Sequence, residues 1–531
     1  MKKVLIKLLS LLSVLALVAA ACGGDDDDSS SGSSSGSSSE SSSDSSSSSS
    51  SEGAAEEASS GDLATCPDPL VIQTDWFPES EHGAMYELFG SGDYSIDAEN
   101  LIVSGTLHDG ATDTGIGLEV RTGGPAIGFS PVASYMYTDS GITLGYANTE
   151  AQVTFFESAP LLSVVAPLEK NPQMVMWDPA TYPDVNTLKD LGDAGITISV
   201  FGGGVFAEVF IAQGIWSADQ VDPSYDGSPA NFIANGGTIA QQGFASAEPY
   251  DYEKVFTDWG KPVKLQLLHD AGFPVYSQTI AIRSAEKDAL DECLKALVPV
   301  IQRATVSFVT NPDTANGIII DAVETFGSFW VYSEGLAEFS VRTQKQLGLV
   351  GNGPNDTVGD MEEARVQSII DIMSDAGIDT GGITTADIYT NEYIDPSIGF
   401  TGEDLCVVDA TDVTAGLVFD IGGRGDQSFN DSAAAGIDRA ECSLGVDYSE
   451  SSPNDDGSNR AELLQLQADN NPVVVAVGFL FAGDAATVAA NNPDVNFAVI
   501  DDAMMNFETG EPIAPNAAGL TFAEHEGSFL V

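Results

Sequence analysis

Basic residues are scarce. In 531 residues, 19 lysines and arginines face 80 aspartates and glutamates, a formal charge of −61. Phosphate backbones and anionic headgroups need clustered Lys and Arg, so nucleic-acid binding is excluded as a function class. The acidity spreads over both halves of the chain. It reads as an adaptation to a saline habitat, where cations screen the self-repulsion. Histidines number four and cysteines five, with no CxxC and no Cys/His cluster, which argues against a structural zinc site and leaves no metal or cofactor expected. No nucleophile-and-base pair stands out, so an enzyme is not expected. Long hydrophobic runs are also lacking. The stretch before residue 22 alone approaches membrane-spanning length, and the remainder is expected to be soluble. With 43% hydrophobic residues, the chain still has core for about three or four compact units at roughly 100–200 residues per domain.

Lys2, Lys3 and Lys7 precede a Leu/Val/Ala run, the pattern of an export signal over residues 1–22. It ends in Ala19-Ala20-Ala21-Cys22, which resembles the lipobox of bacterial lipoproteins, although Ala19 stands where leucine is usual. The resemblance implies acylation of Cys22 and anchoring at the membrane, on its extracytoplasmic face. The competing reading is a plain secretory signal with a chance cysteine. Residues 23–65 form an Asp/Ser/Gly-rich tether that buries nothing apolar and is expected to be disordered. About 37 residues of such coil span roughly 30–36 Å. Cys66, Cys293, Cys406 and Cys442 remain for disulfides, with three connectivities open.

Between residues 66 and 400, Leu70-Val-Ile-Gln-Thr-Asp75 reads as a buried strand before a Pro-containing turn and a helix from about His82. Another strand around residues 197–201 runs into Gly202-Gly203-Gly204 and a helix. That turn either aims backbone N–H groups at an anion or is simply tight. Leu290, Leu294, Leu297 and Ile301 share one helical face, as do Val366, Ile369, Ile370 and Met373. The alternation predicts α/β architecture. Three segments resemble, in order, the nitrate/sulfonate/thiamine-precursor (SsuA-like) substrate-binding proteins: Thr74-Asp75-Trp76-Phe77-Pro78-Glu79-x-Glu81-His82-Gly83, Gly243-Phe-Ala-Ser246-Ala-Glu248-Pro249-Tyr250 and Thr390-Asn391-Glu392-Tyr393-Ile394-Asp395-Pro396. The resemblance implies a two-lobed periplasmic-binding-protein fold of type II that closes over a small-molecule solute and hands it to an ABC permease. Candidate ligand-binding residues are Asp75, Trp76, His82, Ser246, Glu248 and Tyr250. Trp76 offers a planar face for a flat heterocycle, and Asp75, His82 and Glu248 offer hydrogen bonds to ring nitrogens. Structural readings compete: a core aromatic for Trp76, a capping or buried histidine for His82, a solvated acid for Glu248. The acidic field favours a neutral or cationic heterocycle, with nitrate or a sulfonate as the alternative.

Residues 401–412 read as a linker. Residues 413–531 then show strands near 415–420, 446–450, 473–477 and 496–500 separated by helices, with Ser428-x-x-Asp431 placed to cap the first helix. Ligands of parallel sheets gather at strand carboxyl ends, where Asp420, Gly478-Phe479 and Asp501 fall. Phe419-Asp420-Ile-Gly-Gly423-Arg-Gly-Asp426-Gln-Ser428-Phe429-Asn430-Asp431, Gly478-Phe479-Leu-Phe481 and Leu520-Thr-Phe-x-Glu-x-Glu526-Gly-Ser-Phe-Leu530 resemble the basic membrane protein family, the PnrA-like nucleoside-binding lipoproteins. That resemblance implies a partial type I periplasmic-binding, Rossmann-like lobe, the first lobe only. In it Phe429 stacks on a purine, Asn430 bonds its edge, Asp501 lies near the nucleoside, and Asp420 and Phe479 line the pocket. Phe429 as a helix-start core residue and Asp501 as a turn residue are the structural alternatives. Relatives continue beyond this point with a second lobe, so a fragment of a longer fusion or a decayed half-domain is expected. A surface lipoprotein using both folds as spacers or adhesion modules is the competing function.

Overall fold

The computed structural model describes residues 62–402, 404–407, 413–426, 428–454, 456–506 and 508–521. The export signal with Cys22, nearly all of the tether, residues 408–412 of the linker and the segment from 522 onward lie outside the described residues.

Strand Leu70–Gln73 is buried at every position, as are Leu144–Ala147, Leu161–Val165 and Thr279–Arg283. Such unbroken apolar strands suit the middle of a sheet covered on both faces. They form a sheet in the order Thr112–Arg121, Leu70–Gln73, Leu144–Ala147, Thr279–Arg283, Leu161–Val165, with two more strands at the first edge. A second sheet has the order Val221–Asp222, Ile198–Ser199, Ala240–Phe244, Gln173–Trp177, Lys264–Leu267. The two patterns match. In each, the strand in fourth place arrives from the other sheet and lies antiparallel to both neighbours. The chain crosses between the sheets between Val165 and Gln173 and returns between Leu267 and Thr279. Two sheets, two crossings and this strand order make the first module a two-lobed type II periplasmic-binding-protein fold.

The extra edge strands Tyr94–Asp97 and Ile102–Asp109 continue into Thr112–Arg121 as an antiparallel meander, which strict strand–helix alternation did not anticipate. The signal was present in the hairpin turn at Asp109-Gly110, where glycine takes φ +56°.

The helix Lys287–Thr310 carries the predicted stripe, with Leu290, Leu294, Leu297 and Ile301 all buried against the first sheet. With the turn before it, Ser284–Thr310 is long and apolar enough to cross a membrane, so the N-terminal run is not alone in approaching that length. Core packing explains its composition: 61% of its most apolar window is buried within the protein. The second predicted stripe, Val366, Ile369, Ile370 and Met373, is buried against the second lobe.

Past the linker, five strands run parallel in the order Asp447–Ser451, Thr414–Val418, Val473–Val477, Asn496–Ile500, Ala517–Leu520. This is the sheet of one Rossmann-like, type I lobe, with Ala517–Leu520 added to the four strands expected. Its first helix, Phe429–Leu444, begins without a side-chain bond from Ser428. Instead Asp426 accepts from the N–H groups of Ser428, Asn430 and Asp431 at 2.8, 3.2 and 3.2 Å. A carboxylate two residues further back reaches three amide hydrogens and complements the positive helix end, so it displaces the hydroxyl cap.

The cysteines pair as Cys66–Cys293 and Cys406–Cys442. The first clamps the start of the folded chain to the long core helix across 227 residues. Closing a loop of that length constrains the unfolded chain strongly. The paired substitution Cys66→Ser/Cys293→Ser is expected to lower unfolding free energy by about 2–5 kcal/mol. Urea denaturation of oxidised wild type and variant would measure this, and superimposable curves would refute it.

Candidate functional site

Between the two lobes lies a cavity of about 110 Å³, lined from the first lobe by Asp75, Trp76, Glu79 and Gln278 and from the second by Phe201, Tyr225, Gln242 and Glu248. Trp330, from the loop between the helices Asp313–Phe326 and Glu334–Gln346, closes one side. A larger recess of about 390 Å³ also touches Asp75 and takes in Asn148, Glu150 and the turn Gly202-Gly203-Gly204.

Trp76 is set by close backbone approach. A Cβ added at Gly124 would lie 2.5 Å from its Cε3, and Gly124 has φ +56°, so only glycine lets the indole settle there. The indoles of Trp76 and Trp330 meet at 86° with centroids 6.1 Å apart, forming a corner. Phe201 stands 6.2 Å from Trp76, and Tyr225 stands 4.7 Å from Phe201. Trp330 is held by its indole N–H donating to the carbonyl of Pro78 at 3.1 Å.

Glu248 folds back over Gly243, where a Cβ would approach its Cδ to 2.8 Å. It accepts from the Phe244 N–H at 2.7 Å and from the Tyr225 hydroxyl at 3.4 Å. Asp75 accepts from His82 Nε2 at 2.8 Å and from Gln278 Nε2 at 3.2 Å. Gln278 sits at φ +55°, unusual for a residue with a side chain, and its N–H is caught by Asn148 Oδ1 at 2.7 Å.

The sequence-derived candidates separate into two groups. Asp75, Trp76 and Glu248 line the cavity. His82 is fully buried behind Asp75, with its ring edge-on to Tyr146. Ser246 is fully buried and donates to Glu81. Tyr250 packs on Phe339. Glu79, quoted in the first motif but not singled out, faces the cavity. Phe201, Tyr225, Gln278 and Trp330 carried no local signal, because only the fold brings them near Trp76.

The acids are crowded. Burial, followed by the charges of Glu81, Asp75 and Glu248, pushes the Glu79 carboxyl well above its ordinary range. Burial also raises Glu81, and it pushes Glu248 and Asp251 up to about 7. Asp75, Glu79 and His82 place three ligand atoms within 4.8 Å of one another, a metal-like trio not anticipated from sequence.

In the Rossmann-like lobe, Asp420, Phe479 and Asp501 follow the carboxyl ends of neighbouring strands. Phe429 is 51% and Phe479 59% exposed, so both rings form an open rim. Asn430 is buried, and its amide brackets the main chain of Asp420: Oδ1 accepts from the N–H at 2.9 Å and Nδ2 donates to the carbonyl at 3.3 Å. Asp420 pairs with Arg460 at 2.6 Å. Asp501 takes φ +68° and donates its N–H to Leu520 at 2.7 Å. The Asn430 amide assigned to a base edge is thus engaged by the protein itself.

Residues 413–531 match the family model described as ABC transporter substrate-binding protein PnrA-like. An uncharacterized lipoprotein of Pyrococcus abyssi is 36% identical over 124 residues, which cover 23% of this chain and 29% of that protein. Basic membrane protein A of Borreliella burgdorferi is 34% identical over 107 residues, 20% of this chain and 30% of that protein. The chain spans about 29% of the length of the curated relatives it matches first. Over 58% of this chain and 86% of the other, the structure is similar to the periplasmic aliphatic sulphonate binding protein SsuA from Escherichia coli, with TM-score 0.38 and 12% identity.

Carboxyls raised in the folded state keep protons that the unfolded chain has already lost. Their contribution is therefore full below the ordinary carboxylate range and lost as pH rises to about 7. Melting temperature at fixed high salt is expected to fall between about pH 4.5 and 7 and then level off. Glu248→Gln should make that fall shallower, and equal slopes in both proteins would contradict the assignment.

Proposed function

We propose that the chain is an extracytoplasmic solute-binding lipoprotein of an ABC importer, with residues 66–400 and 413–531 as two ligand modules. The first cleft captures a small nitrogen heterocycle of the pyrimidine or thiamine-precursor kind. The second module presents a purine-nucleoside rim at Phe429, Phe479 and Asp501. The observation that carries the reading is the cavity between two lobes, where Trp76 on one faces Glu248 on the other. A flat ring can lie on the indole while its nitrogens bond to carboxyl and amide groups. A cavity of about 110 Å³ suits a solute of one ring rather than a polymer.

Anion binding in this cleft is the less favoured alternative, because Asp75, Glu79 and Glu248 all line it and oppose an anion. A spacer function has no use for polar and aromatic groups converging on a cavity. In this reading Cys22 is the lipid anchor, residues 401–412 link the modules, and an ABC permease receives the solute.

All five tryptophans lie in the first module and two of them, Trp76 and Trp330, line the cleft, so their fluorescence mainly reports that module. Titration with aminopyrimidines should change the emission, and Trp76→Ala should weaken binding by roughly tenfold or more, the scale of one lost stacking contact. Absence of any response to a broad solute panel would favour the spacer.

A further inference from the structure

We propose that the first cleft selects solutes bearing a positively charged nitrogen with N–H donors, held in the Trp76–Trp330 corner and neutralised by Asp75, Glu79 and Glu248. The inference rests on the reading of this cleft as a solute site and adds the charge and donor character of the solute.

Three observations carry it. First, the lining is acidic and unbalanced: among the described residues it has three carboxylates and no lysine or arginine. Glu81 adds a fourth acid just behind. Such crowding is costly unless protons or a cation offset it, which agrees with the raised proton affinity of Glu79 and Glu248. Second, aromatic faces surround the same space. A cation within about 6 Å of an indole or phenol face is attracted by the ring quadrupole, and Trp76, Trp330, Phe201 and Tyr225 supply such faces. Third, Gln278 lines the cavity, is 1% exposed, and its Oε1 has no hydrogen-bond partner. Its Nε2 is already given to Asp75 and its side chain lies beside Glu79, so Oε1 is an acceptor at the cavity that an N–H of the solute can reach.

A divalent metal on Asp75, Glu79 and His82 is the rival occupant. A histidine that ligates metal is normally steadied by a bond from its other ring nitrogen. Here His82 Nδ1 is buried without a partner, while Nε2 points at Asp75 Oδ1 at 2.8 Å. The ring is thus better described as a donor that orients Asp75 than as a ligand. The Asp75 carboxylate so held lines the cavity.

The test compares 4-aminopyridine, which is protonated at neutral pH, with aniline, which has the same size and shape and is neutral. Calorimetry and tryptophan fluorescence on the intact chain should show the cation binding at least tenfold more tightly. Glu79→Gln should shrink that preference about tenfold. Gln278→Leu should weaken 4-aminopyridine more than N-methylpyridinium, which has no N–H donor. Equal binding of the two probes, or tighter binding of aniline, would overturn the inference while the cleft remains a solute site. Binding of taurine or nitrate alone would also overturn it. An EDTA-reversible thermal shift with Mn²⁺ or Zn²⁺, lost in His82→Gln, would replace the organic cation with a metal. Failure of every solute and ion to bind would remove the solute-site reading itself.

Discussion

Everything in the first module depends on one constraint of chain path. In each sheet, the strand on which the chain arrives from the other lobe is inserted antiparallel in fourth place between parallel neighbours. Neither sheet is complete without the segment that crosses from the other. The lobes are therefore joined by two crossing segments, and the strand that follows each crossing is fixed in the receiving sheet by backbone ladders on both sides. The cleft forms where the two sheets face each other, and it gathers groups separated by more than 250 residues, from Asp75 to Trp330.

The cleft concentrates what the rest of the molecule avoids. A surface carrying −61 charges spreads its acids into solvent, where water and salt screen them. The buried Glu79 and the half-buried Glu248 line the cleft next to aromatic rings, and the buried Glu81 lies just behind. That arrangement raises the proton affinity of Glu79, Glu81 and Glu248, which a positive charge in the cleft would lower again.

The second module handles its charges differently. Arg460 pairs with Asp420, and Arg424 with Asp438, Glu450 and the Tyr448 hydroxyl. These contacts hold the strand-end loops in shape, and Asn430 ties the loop after the first strand to its helix. Phe429 and Phe479 remain on an exposed rim. The match of residues 413–531 to the PnrA-like family model fits this sheet of five parallel strands.

Local chemistry was legible in the sequence. Hydrophobic periodicity placed the helices at Lys287–Thr310 and Glu363–Asp375, and two separate short motifs singled out Asp75 with Trp76 and Glu248, all of which line the cavity. These features depend on neighbours a few positions away, so a linear string records them. The string did not record that Asp426 would outcompete Ser428 as the helix cap, because that choice depends on the loop's path. Nor did it assign the disulfide partners or bring Gln278, Tyr225 and Trp330 to Trp76. Those groups meet only after the chain has crossed twice between sheets. The roles of buried polar groups were likewise settled by packing: whether His82 and Ser246 face a solute or brace Asp75 and Glu81 depends on which side of a side chain the neighbouring lobe covers.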